Sequence, residues 1–254
     1  MKLVLALVAL WFAPASAQAA ACWLEHGVVV VPARVAGVAG DYILDTGSPT
    51  TQLHETRAQM EGLPPALRGE VRIDGLRLTE RPVVVVDLDA RTYAFPTPIA
   101  GVIGADILSA YVVDVSLAPC RVEIWRAGRV PKFRAETRLK MRLIGGAPVV
   151  NAAAADGPRT AVGGFVVATG LDSPVRLDEA LASVPGAKAD DLAPYGPRRA
   201  RLRALSFAGG VFEGLGAGLQ PHVDGVIGAI GPQVLLRWSV RFDFPRGRLL
   251  LGRP

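Results

Sequence analysis

The sequence repeats itself, and the spacing of the repeat limits the folds open to it. Gly101-Val102-Ile103-Gly104-Ala105 recurs residue for residue as Gly225-Val226-Ile227-Gly228-Ala229, 124 positions on. Asp41-Tyr42-Ile43-Leu44-Asp45-Thr46-Gly47 is matched in pattern by Phe165-Val166-Val167-Ala168-Thr169-Gly170, with 123 positions between Asp45 and Ala168. Two separate landmarks keep register to within one residue, which implies two homologous lobes in a chain of 254 residues. Each copy runs on into a similar end. Tyr111 to Val115, a turn at Pro119 and Arg121 to Ile124 answer Val240 to Phe244, a turn at Pro245 to Gly247 and Arg248 to Leu251, so each reads as a β-hairpin closing its lobe. The expected division is an export segment over 1–21, a first lobe over 22–130 and a second over 131–254, joined in a basic connector near Gly128 to Lys132.

The elements within the lobes read as strands. Aromatic residues make up only 6% of the chain, so the core falls to Val, Leu, Ile and Ala, in short Val-rich runs punctuated by 28 Gly and 20 Pro. The fold class expected is all-β with short helices. Arg138-Leu139-Lys140-Met141-Arg142-Leu143 alternates with period two, as a strand with one solvated face does. That pattern assigns the basic run Arg121 to Arg142 to a solvated strand face and connector; attraction to an anionic envelope surface or an acidic partner is the other reading, ahead of nucleic acid. Arg198, Arg199, Arg201 and Arg203 are read the same way.

The N-terminus reads as a secretory leader. Lys2 precedes the apolar stretch Leu3 to Ala13, and Ala15-Ser16-Ala17 supplies a small-residue cleavage site. No later window has the 18 or so uninterrupted apolar residues a helical membrane span requires. The expectation is therefore an exported protein, periplasmic or secreted. Cys22 and Cys120 are the two cysteines, and in an oxidising compartment they read as one disulfide. Ala19-Ala20-Ala21-Cys22 also loosely resembles a lipobox, which leaves acylation of Cys22 as the other reading. His26, His54 and His222 are scattered without ligand spacing, so neither a metal nor a cofactor is expected. Asp114 and Asp243, in the closing hairpins, read as surface or turn acids.

Asp45-Thr46-Gly47-Ser48, entered from three apolar residues, resembles the signature of aspartic peptidases. An apolar strand sets the carboxylate at the end of a rigid element, Gly permits the tight turn, and the Thr hydroxyl can bond to a second copy of the loop. Two such loops related by a pseudo-twofold hold two carboxylates that share a proton and activate a water for attack on a peptide carbonyl. The family also carries a hydrophobic-hydrophobic-Gly segment beneath each catalytic loop. Val102-Ile103-Gly104 and Val226-Ile227-Gly228 resemble it. The resemblance spans nearly all of the sequence after the leader and is nearest to retropepsin-like bacterial enzymes, arranged as two fused lobes as in pepsin. It implies a bilobal acid-protease fold, a peptide or protein substrate and Asp45 as catalytic acid and base.

Two departures qualify that implication. The second loop reads Ala168-Thr169-Gly170, with no carboxylate where the second acid belongs. A shifted register would put Asp172 there, at the cost of the Thr-Gly turn. The family also places a β-hairpin flap over the cleft, and only about 25 residues separate Asp45 from the strand at Val71, with a short helix expected between Gln52 and Met60. In the second lobe the interval from Leu177 to Leu202 holds Pro185, Pro194 and Pro197 and reads as a loop. Two functions stay open: an exported aspartic peptidase acting through Asp45, and a peptidase-fold protein that binds extended peptide or serves the envelope structurally without hydrolysis. A monomer is expected, because the surface on which two first lobes would pair is the one this protein's own second lobe needs.

Overall fold

The computed structural model describes residues 21–182 and 200–254. Residues 1–20, which hold most of the expected export segment, and the stretch 183–199, with Pro185, Pro194, Pro197, Arg198 and Arg199, lie outside the described residues.

Seven strands build the first lobe: β1 (Trp23–Glu25), β2 (Val28–Val35), β3 (Val38–Leu44), β4 (Gln52–His54), β5 (Ala66–Ile73), β6 (Leu76–Val86) and β7 (Ile99–Ile103). They are ordered β1-β2-β3-β7-β4-β6-β5, and β2 pairs again with β5, which closes the sheet on itself. Val28 to Val31, four consecutive buried valines, are the β-branched run that a strand covered on both faces requires. The strand and short helix expected between Gln52 and Met60 are β4 and α1 (Glu55–Met60). The loop after α1 runs straight into β5. Asp74, at the turn of the β5–β6 hairpin, accepts the Ile124 amide at 3.1 Å. That hairpin is therefore tied down away from the cleft, and no residue between Pro49 and Ala90 lines the cleft, so this lobe has no flap.

After β7 and α3 (Ala105–Leu108), with α2 (Asp89–Thr92) before them, come β8 (Val112–Leu117), β9 (Cys120–Trp125) and β10 (Ala135–Lys140). The second lobe repeats the first: β11 (Arg142–Ile144), β12 (Ala147–Asp156), β13 (Arg159–Val167), β14 (Val175–Asp178), β15 (Ala200–Phe207), β16 (Gly210–Gln220) and β17 (Gly228–Ile230), ordered β11-β12-β13-β17-β14-β16-β15 and closed by β12 on β15. Short helices α4 (Glu179–Ala182) and α5 (Pro232–Leu235) match α1 and α3. β10 alternates half-buried and exposed, with Arg138 and Lys140 outward, and the buried Met141 separates it from β11.

The closing hairpins behave differently from their sequence reading. β8 and β9 do not close one lobe while β18 (Ser239–Asp243) and β19 (Arg248–Gly252) close the other; they join one five-stranded sheet, β10-β19-β18-β8-β9. β18 pairs antiparallel with β8, so the sheet bridges the lobes. Asp114 and Asp243 consequently are not surface acids. Arg241 grips Asp114, and Asp243 is buried beside Arg246 and Arg248. Cys22 and Cys120 form a disulfide that fastens the start of the first lobe to this sheet.

The second glycine-rich segment also sits elsewhere than its sequence suggests. β7 lies parallel to β3 with Tyr42 opposite Gly101 and Leu44 opposite Ile103; β17 lies parallel to β13 with Phe165 opposite Gly228 and Val167 opposite Ile230. The counterpart of Gly101-Val102-Ile103-Gly104 is therefore Gly228-Ala229-Ile230-Gly231. Val226-Ile227-Gly228 falls three residues early. Packing fixes the true register: a Cβ at Gly101 would stand 2.2 Å from the Gln52 carbonyl oxygen and 2.9 Å from the Tyr42 ring, and one at Gly228 would stand 2.5 Å from the Arg176 carbonyl oxygen and 2.6 Å from the Phe165 ring. Only glycine fits either place. From there onward the lobes are offset by 127 residues, the separation of Asp114 and Arg241, against 123 for the threonine loops.

Candidate functional site

Asp45 follows β3 directly. Its amide donates to the Ile103 carbonyl at 3.0 Å, while the equivalent amide, that of Ala168, donates to Ile230 at 3.0 Å. Parallel pairing beneath each loop thus delivers residues 45 and 168 to matching places. Between them the buried threonines bond reciprocally. Each amide donates to the other's hydroxyl, Thr46 to Thr169 Oγ1 and Thr169 to Thr46 Oγ1, both at 3.1 Å. Each hydroxyl donates across the boundary in turn, Thr46 to the Val167 carbonyl at 2.7 Å and Thr169 to the Leu44 carbonyl at 2.6 Å. The glycines face across as well. A Cβ on Gly170 would meet Asp45 Cβ at 2.5 Å, and one on Gly47 would meet Ala168 Cβ at 2.5 Å.

This symmetry places Ala168, and not Asp172, opposite Asp45. Thr169 and Gly170 fill the structural roles of Thr46 and Gly47, so the shifted register that would put Asp172 in the acid's place does not form. Asp172 lines the same cleft, but its carboxylate is bonded to Arg176 Nη2 at 2.7 Å. Ser48, the last residue of the first motif, turns its hydroxyl onto the Thr50 carbonyl.

Asp45 does not stand free. Its Oδ1 accepts the amides of Gly47 at 2.8 Å and Gly170 at 3.2 Å. Its Oδ2 accepts Arg91 Nη2 at 2.6 Å, and the same nitrogen donates to the Gly170 carbonyl at 3.0 Å. The guanidinium therefore spans from the first loop's acid to the second loop's backbone. Arg91 comes from α2, in the connection between β6 and β7, and no motif or periodicity in the sequence marks it.

α2 is fixed by a histidine. His54, buried at the end of β4, accepts the Thr56 amide through Nδ1, so its Nε2 carries the proton and faces Asp89 at 3.2 Å. The second lobe holds the same latch with acid and imidazole exchanged. Asp178, at the end of β14, accepts the Ala180 amide at 2.9 Å and pairs with His222 at 2.6 Å; His222 also reaches Asp224 at 3.1 Å. The Ala180 amide, and then His222, lower the Asp178 pKa below the usual 3.8. Its hydrogen bonds to Asp178 and then to Asp224 raise the pKa of His222 above 6.5.

The cleft between the lobes has a volume of about 750 Å³. Val28, Ile43, Val166 and Ala229 supply apolar wall, and Tyr93 and Val223, both exposed, stand on it from opposite lobes. Two hairpin turns in equivalent positions also reach it, His26-Gly27 and Gly145-Gly146, whose four residues all have positive φ between 47° and 87°. Val226 reaches the cleft too, although it does not belong to the segment beneath the loop. Among the described residues no three His, Cys, Asp or Glu side chains stand together as metal ligands.

No protein-family model matches the sequence, and no curated protein does. Among solved structures, the chain is similar to the aspartic proteinase from Irpex lacteus, with a TM-score of 0.55 and 15% identity, over 93% of this chain and 97% of that one. The fold is the bilobal aspartic-proteinase fold. Within it, the threonine grip and the strands beneath the loops are complete in both lobes, while one of the two acid positions is an alanine and the other is held by an arginine.

Proposed function

We propose that the protein binds extended peptide in its interlobe cleft without hydrolysing it. One observation carries this reading: Ala168 stands where a second carboxylate would share a proton with Asp45, and Arg91 is bonded to Asp45 instead. A dyad needs two acids close enough that one stays protonated beside the other's charge. Here the nearest charged partner of Asp45 is a cation. Pairing two first lobes does not supply the missing acid, because Thr169 of the same molecule already occupies the hydrogen bonds of Thr46. Hydrolysis keeps one observation in its favour, the intact Asp45-Thr46-Gly47-Ser48 motif with Asp172 on the same cleft. The proposal includes an exported, monomeric protein; the leader-like segment 1–21 and the Cys22–Cys120 disulfide support the export.

Hydrogen exchange of the protein with and without a pool of random decapeptides tests the reading, with the peptides recovered and weighed afterwards. Protection at residues 43–49 and 166–172 with peptides returned at their original mass is the expected result. Shortened peptides, or protection elsewhere only, would overturn it.

A further inference from the structure

We infer that the cleft selects peptides bearing a free carboxylate, received by Arg91 and Arg176. This rests on the peptide-binding reading and adds the chemistry of the ligand. Among the described residues, the charged side chains lining the cleft, histidine aside, are Asp45, Arg91, Asp172 and Arg176, joined as two ion pairs. Asp45 already accepts three N–H bonds, two from amides and one from Arg91. A guanidinium has five N–H donors, and in both arginines only Nη2 is engaged among the described residues. Among the described residues Arg91 Nε and Nη1 meet no acceptor, and the Nε of Arg176 is buried without one. The unmet demand of these pairs is thus for acceptors.

A ligand that supplies acceptors gains most if they are charged, because a carboxylate on a guanidinium makes bonds roughly twice as strong as neutral ones. A cationic group meets Asp45 already occupied and two guanidinium groups repelling it. The protein's formal charge of +5 favours the same sign of ligand at long range. The side group of Asp or Glu and the carboxy-terminus of a peptide present the same chemistry, and the cleft's apolar wall accommodates the residues beside it.

The test uses the mature protein and a pool of random decapeptides synthesised in two forms, free acid and amide, with bound peptides identified by mass spectrometry. Selected sequences are remade with each Glu as Gln, each Asp as Asn and the terminus as acid or amide, and their affinities measured by fluorescence polarisation. The expected result is that an acidic version binds at least about tenfold tighter than its neutral isostere, a difference of about 1.4 kcal/mol. The acid and amide arms distinguish a terminal carboxylate from that of an Asp or Glu residue. In Asp45→Asn/Arg91→Gln, which removes the ion pair as a unit and keeps an acceptor for the Gly47 and Gly170 amides, the preference falls to about twofold or less. In Asp45→Asn alone it persists, and thermal melts confirm that each variant is folded. Equal affinity for acidic and neutral versions, or a preference unchanged in the double variant, overturns the inference while the peptide-binding reading stands. Failure of every peptide to bind overturns both.

Discussion

Asp114 and Arg241 stand directly opposite each other in the sheet that joins the lobes, and they occupy equivalent positions of the repeat. Arg241 donates through Nε to Asp114 Oδ1 and through Nη2 to Oδ2, both at 2.6 Å. Its Nη1 reaches the Pro131 carbonyl at 2.8 Å and its guanidinium lies over the Phe133 ring. Two copies of the first lobe paired on this axis would set Asp114 against Asp114, and two second lobes Arg241 against Arg241. The bidentate pair therefore favours first lobe on second lobe. Removing one partner strands the other, at about 3–5 kcal/mol for a buried pair. Arg241→Met is expected to lose that much in urea unfolding, and exchanging the charges, Asp114→Arg with Arg241→Asp, to recover a substantial part; a loss under about 1 kcal/mol for Arg241→Met would contradict this role.

The threonine grip is also expected to be costly to remove. Thr169→Val deletes the donor to the Leu44 carbonyl and the acceptor of the Thr46 amide, both buried. At about 1–3 kcal/mol for each of the two groups left unpaired, the expected destabilisation is about 2–6 kcal/mol. Thr169→Ser keeps the hydroxyl and should retain most of the stability. Equal losses for Val and Ser would show that the methyl group's packing, not the hydrogen bonds, matters.

Arg91→Ala leaves Asp45 buried without its cation. Arg91 is itself 30% exposed, so the loss expected is about 1–3 kcal/mol, below that of a fully buried pair. Asp45→Asn/Arg91→Gln should be the more stable of the two variants in thermal melts. An Arg91→Ala melt indistinguishable from wild type would mean that the ion pair does not hold in solution.

The Asp178–His222 latch gives stability a pH window. His222, with its pKa raised, contributes fully below its ordinary value of 6.5, and the contribution is lost as pH rises through the raised value. Asp178, with its pKa lowered, contributes above 3.8, and this is lost as pH falls through the lowered value. The melting-temperature difference between wild type and His222→Gln is therefore expected to be largest between these ordinary values and to shrink on the alkaline side. A difference independent of pH would contradict the latch.

Much of this architecture is legible in the residues, and the failures have physical reasons. Thr46 and Thr169 announce the paired loops because the same backbone geometry requires the same residues, and Ala168 shows the missing acid directly. The verbatim recurrence of Gly-Val-Ile-Gly-Ala misleads because side-chain identity is not what the segment needs. Its glycines must admit a ring and a carbonyl, a demand met at Gly228 with Ala229 following, where the string no longer matches. Arg91 has no periodic or motif context, since it is carried by a short helix, α2, whose place depends on the contact of its Asp89 with His54 at the end of the distant strand β4. Asp114 reads as a surface acid because its partner is 127 residues away and of a different type.

The central claim, that Asp45 has no second acid and does not hydrolyse peptide bonds, is tested most directly by cleavage. Wild type, Asp45→Asn and Asp172→Asn are incubated with a random peptide pool from about pH 3 to about pH 8, and new termini are read by mass spectrometry. The predicted result is that wild type generates no termini beyond those seen with Asp45→Asn. Termini produced by wild type and abolished by Asp45→Asn would contradict it.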